Sequence, residues 1–157
     1  MIDVEIEDEA WSSALPEVEA LVERAAEAAL DTLSQAERGG AVAILLTDDA
    51  AVADLNQRFR GKPTSTNVLS FPAAESAYPH LGDVALAYGF CAGEAKVQGK
   101  SLADHLAHLV VHGVLHLLGY DHEAEADAEV MEQMECEILR RFGVADPYAQ
   151  RDADGQL

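Results

Sequence analysis

The sequence predicts an α+β fold: a single domain in which a small mixed β-sheet is covered by helices. Its 157 residues, 49% hydrophobic and 25% charged, suit one domain able to bury a core unaided. Short alternating or β-branched runs are interleaved with segments of helical period, in the order β-α-β-α-β-β-α-α-α. No internal repeat or low-complexity linker divides the chain, so residues 1–157 read as one domain with a frayed tail from about Asp146.

Ile2, Val4 and Ile6 alternate with Asp3 and Glu5 as a half-buried strand. Pro16, after Ser12 and Ser13, occupies a first-turn position ahead of a helix to about Leu33. Its apolar stripe is Val18, Leu21, Val22, Ala25, Ala29 and Leu33, and Gly39-Gly40 ends the connection. Ala41–Leu46 is a β-rich apolar run that reads as a central strand. Asp48 and Asp49 can cap a helix through about Phe59, with Val52, Leu55 and Phe59 inward. Gly61 and Pro63 break it.

Asn67–Phe71 then reads as a strand stopped by Pro72, and Leu81–Tyr88 as another after a loop. A short polar helix to about Gln98 ends near Gly99. Ser101 with Asp104 opens a strong helix to about Leu118, stopped by Gly119. The last helix spans about Glu125–Phe142, with Val130, Met134, Ile138 and Leu139 inward.

The net charge of −19 disfavours general binding to nucleic acid or anionic membrane. Its distribution is uneven. Leu55–Ala74 holds no acid but has Arg58, Arg60 and Lys62, and His105–His122 holds only Asp121. Should these two segments meet, one face would tolerate anions. The first ten residues carry five acids and no base, unlike a secretory or transit leader, and no apolar run approaches membrane length. Cys91 and Cys136 form no CxxC pair, so a cytoplasmic protein is expected.

Residues 112–122 read His-Gly-Val-Leu-His-Leu-Leu-Gly-Tyr-Asp-His. On a helix, His112 and His116 project from one face about 6 Å apart, able to share one zinc ion. A third ligand needs a sharp turn first. Gly119 can take the positive φ of a helix end, and His122 can then swing back. Three histidines and an open position form a catalytic rather than a structural arrangement. His105 and His108 lie on the same stripe and stay outside the ligand set. His108 reads as a support for the ligands, a substrate contact or a buried hydrogen-bonded residue. The HxxxHxxGxxH spacing is that of metzincin proteases, but Gly113 stands where they place a glutamate base.

The undecapeptide His112–His122 also resembles the signature of the YbeY-type endoribonucleases, or rRNA maturation factors. Leu55-Asn56, Phe59-Arg60-Gly61-Lys62, Thr66-Asn67-Val68-Leu69-Ser70-Phe71-Pro72 and Leu81-Gly82-Asp83-Val84 match further blocks of that family. Asn67, where the family often has aspartate, and Thr64-Ser65-Thr66 depart from the pattern. The resemblance implies one Zn2+ held by His112, His116 and His122, with Arg60 as the critical cation. It also implies cleavage of single-stranded RNA, maturation of the small-subunit (16S) rRNA 3′ end, and ribosome quality control. The physical chemistry agrees, since a guanidinium can clamp two phosphoryl oxygens and a metal can polarise another. Asp121 and Asp83 are carboxylates able to orient ligands or shape turns. Two alternatives stand beside this reading: a zinc metallopeptidase, and a non-catalytic ribosome assembly factor with a structural metal and ribosomal-protein partners.

Overall fold

A computed structural model describes residues 1–31, 40–120, 125–144 and 147–148, of which 125 and 126 by backbone alone. The expected helix end at Leu33, Gly39, the Asp121–His122 turn and most of the tail lie outside the described residues.

Four strands, β1 (Ile2–Ile6), β2 (Ala41–Thr47), β3 (Val68–Pro72) and β4 (His80–Ala87), form one sheet in the order β1-β2-β4-β3. β1, β2 and β4 run parallel, and β3 is antiparallel to β4 at the edge. Its final residue, Pro72, lacks an N–H and is tolerated on an edge strand. The helices are α1 (Ala10–Ala14), α2 (Val18–Leu30), α3 (Asp49–Arg60), α4 (Tyr88–Gln98), α5 (Leu102–Leu117) and α6 (Glu125–Phe142). The expected small α+β domain with a mixed sheet is therefore what the chain forms.

Strand alternation sorts the side chains into two layers. Val42, Ile44, Leu46, Val84 and Leu86 face the main core beneath α2 and α5. Leu69, Ala85 and Ala87 face a smaller cluster with Val52 of α3. The sequence reading omits α1, a five-residue turn held by Trp11, whose buried indole donates to the Thr47 carbonyl at 3.0 Å. Pro16 lies two residues before α2 rather than in its first turn. Asp48 caps α3 as expected, accepting from the Ala51 amide at 2.7 Å.

Two inward assignments need correction. Phe59 is 67% exposed, because Val52 and Asn56 take the sheet-facing positions of α3. Val130 is 50% exposed, because α6 turns Met131, Glu135, Ile138 and Leu139 inward. The phase moves by one residue because a glutamate belongs to the buried stripe.

Candidate functional site

Helix α5 carries the histidine stripe. Ser101 caps it by accepting from the Asp104 amide at 3.1 Å. Past its end Gly119 has φ 95°, and the Tyr120 amide returns to the Leu115 carbonyl at 3.2 Å. The helix lies directly on the sheet at Gly113. A Cβ there would sit 2.7 Å from Cγ1 of Val84 and 3.3 Å from Oγ of Ser70. Ser70 Oγ donates to the Gly113 carbonyl at 3.0 Å. The residue that departs from the protease pattern is thus a point of close approach between helix and sheet.

His112 and His116 stand side by side, with ring centroids 4.7 Å apart. Glu135 of α6 reaches the same stripe although it is closed to solvent. Its carboxylate meets His112 Nδ1 at 2.5 Å, His108 Nε2 at 3.3 Å and the Tyr148 hydroxyl at 2.6 Å. Burial alone would raise the Glu135 pKa, but the hydrogen bonds and charges of His108 and His112 outweigh it and bring the value to about 2. An ionised carboxylate only accepts, so His112 Nδ1 and His108 Nε2 carry the protons facing it. His108 Nδ1 is buried and has no partner among the described residues. The Tyr148 hydroxyl is pushed up by burial and by the Glu135 charge, so it stays protonated and donates.

This donor set suits a metal ion. With Nδ1 of His112 committed to Glu135, coordination by His112 would use Nε2, and a carboxylate behind an imidazole is the usual support for a metal-bound histidine. His108, His112 and Glu135 also bring one possible ligand atom each within 4.8 Å of one another. His122 and Asp121 lie outside the described residues. His105 is separate: it is buried and pairs through Nε2 with Glu94 of α4 at 3.0 Å. Burial lowers its pKa, with Glu94 opposing the shift. Glu94 also accepts from Asn67 Nδ2 at 2.9 Å, a donor that an aspartate at position 67 would lack.

Arg60 ends α3 beyond the far side of β3. Its Nη2 donates to the Ser70 carbonyl at 2.8 Å, and its guanidinium carbon lies 5.7 Å from the Phe71 ring centroid. Ser70 thereby bridges Arg60 to the helix residue next to His112, and the two acid-poor segments meet. Asp83 does not join the histidines: it points to the opposite sheet face from Val84 and pairs with His80 at 3.4 Å. Glu135 is the residue that sequence reasoning misses. Its only sequence signal is its place at i, i+4 and i, i−4 to Leu139 and Met131, in phase with the apolar stripe of α6.

Fold and site together define a small α+β protein with a histidine–glutamate centre able to hold a metal ion. Comparison with known proteins agrees over most of the chain. Residues 3–143 match the family described as Endoribonuclease YbeY, and the chain belongs to that family. The Endoribonuclease YbeY of Maricaulis maris (strain MCS10) is 52% identical over 151 residues, covering 96% of this chain and 93% of that protein. That of Jannaschia sp. (strain CCS1) is 47% identical over 160 residues, covering 94% and 99%. The solution structure of TM1509 from Thermotoga maritima aligns with TM-score 0.58 and 25% identity over 94% of this chain and 98% of that one. Membership gives the chain an endoribonuclease role, that of a nuclease hydrolase with RNA as substrate. Among the described residues no helix is long and apolar enough to cross a membrane.

Proposed function

We propose that this endoribonuclease is zinc-dependent and specific for single strands, and that it matures the 3′ end of 16S rRNA and serves ribosome quality control in the cytoplasm. The observation that carries the metal reading is the His112–Glu135 contact beside His116 on one helical face. His112, His116 and His122 would hold one zinc ion, which when bound supplies Lewis acidity toward a phosphodiester oxygen or water. Arg60 would neutralise charge developing on the phosphoryl oxygens. One N–H of its guanidinium is fixed on the Ser70 carbonyl, which sets the orientation of the remaining donors. Glu135 keeps His112 in one tautomer and one ring orientation. Partners on the small subunit, including basic ribosomal proteins, suit the strongly acidic body.

A second placement of the ion, among His108, His112 and Glu135, is favoured by their mutual proximity. It would strip Glu135 of the donors it now accepts, so the first placement is preferred. The peptidase alternative is disfavoured because position 113 has no room for a glutamate.

The test is cleavage of a single-stranded RNA spanning a small-subunit rRNA 3′ precursor, with metal content measured alongside. The native protein should cut, and cutting should vanish in Arg60→Ala, in His112→Ala and with a chelator. Equal cutting in all four samples would mean a contaminating nuclease. Metal-loaded, folded protein that cuts nothing but binds ribosomes would favour the assembly-factor reading.

A further inference from the structure

The open face of the sheet carries a groove of about 800 Å³, which α3 covers only at one side. Its floor is built from register partners. Asp3, Ala43, Asp83 and Phe71 lie in one row across β1, β2, β4 and β3, and Glu5, Leu45 and Ala85 lie in the next. Adjacent strands are about 4.8 Å apart, so the two alanines leave a shallow apolar trough between carboxylates. The wall is aromatic. The rings of Phe59 and Phe71 are 5.4 Å apart, and the Arg60 guanidinium stands over Phe71.

We propose that this groove is a nucleobase slot that receives one base of the RNA strand engaged by Arg60 and selects for guanine. The inference rests on the ribonuclease reading and extends it to base preference. An exposed phenylalanine beside an arginine-capped ring is a stacking platform, and base–aromatic stacking accepts any base. The carboxylates add selection. They repel phosphate, so the slot takes a base and not the backbone. They only accept hydrogen bonds, so they favour a base edge rich in donors. Guanine offers N1–H and an N2 amine side by side to one carboxylate; uracil offers a single N–H, and inosine lacks the amine. Asp83, register partner of Phe71, is the carboxylate nearest the aromatic wall.

The test is binding of short, unstructured, 2′-O-methylated single strands that differ at one position: guanine, inosine's hypoxanthine or uracil. The full chain should hold the guanine strand at least about fivefold tighter than the others. Asp83→Ala should erase that difference. Phe59→Ala should weaken all three by about fivefold or more, and Phe59→Trp should restore them. Because Phe59 is largely exposed, its replacement leaves the fold intact, checked by circular dichroism. Equal affinities for the three strands, or none of this dependence on Phe59, overturns the slot; if such a protein still cuts RNA, the ribonuclease reading survives alone. Folded protein that neither binds nor cuts any strand overturns both. A lysine-rich peptide that binds in a Phe59-dependent way while the strands do not would assign the face to a basic protein partner and overturn the proposal.

Discussion

Glu135 holds His112 by its Nδ1 proton across 2.5 Å, from a position closed to solvent on a different helix. The contact fixes which imidazole nitrogen faces the carboxylate, so that under the proposed metal reading Nε2 is the nitrogen that would meet an ion. Glu135→Gln should therefore weaken zinc affinity by roughly 10- to 100-fold without abolishing folding. Competition titration against a chromophoric chelator measures this. Unchanged affinity would reduce Glu135 to a packing role, and complete loss of binding would favour Glu135 as a direct ligand.

Acid should destabilise the metal-free protein through the same carboxylate. The Glu135 pKa is about 2 in the fold against an ordinary 4.5, so the unfolded chain binds more protons between those values. The stabilisation, on the order of 3 kcal/mol, is present above about pH 4.5 and is lost as pH falls toward 2. His105 acts in the same direction at higher pH: its lowered pKa makes the unfolded chain the better proton acceptor below about 6.5. Urea denaturation of native and Glu135→Gln protein across this range should show a flatter acid limb in the variant. Parallel limbs would refute the assignment.

Gly113→Ala should cost about 1–3 kcal/mol and reduce RNA cleavage, because Val84 is branched at Cβ and cannot swing away from the added carbon. Gly113→Glu should be worse and should confer no peptidase activity. Thermal denaturation and a casein digest test both points; a stable Gly113→Glu protein would show that the helix can lift from the sheet.

Arg60→Lys should lower RNA cleavage by roughly 10²-fold while moving stability by less than about 0.5 kcal/mol. A lysine keeps the charge but loses the planar fork that meets both the Ser70 carbonyl and a phosphoryl group. Single-turnover cleavage with saturating protein is the measurement. Full activity in the Arg60→Lys variant would mean that charge alone suffices.

Much of this is legible in the sequence because local chemistry and tertiary context agree. Asp48 and Ser101 read as caps and serve as caps; Gly119 reads as a helix stop and has the required φ. The apolar run at Ala41–Leu46 and the segment from Leu81 read as strands and are strands β2 and β4. The two inward assignments that fail share one cause: the polarity of a residue does not by itself decide its exposure. Glu135 is buried because three donors converge on it, which no single segment of sequence records, and Val130 gives up its inward place as a result. Phe59 is apolar yet exposed, since its helix ends over the edge strand where no further layer covers it. The motif around His112 marks the site, whereas the support behind it comes from residues 23 and 36 positions further along.

Tyr148 stands 40 residues after His108, and both converge on Glu135. During synthesis the histidine helix leaves the ribosome well before the carboxylate that organises it, and that carboxylate before its last donor. A nascent chain therefore carries the recognisable motif for some time without a finished centre. Any ion it captures in that interval is held by imidazoles whose orientation is not yet set. The order of translation thus separates acquiring ligands from becoming competent, a delay suited to an RNA-cutting chain born beside ribosomal RNA.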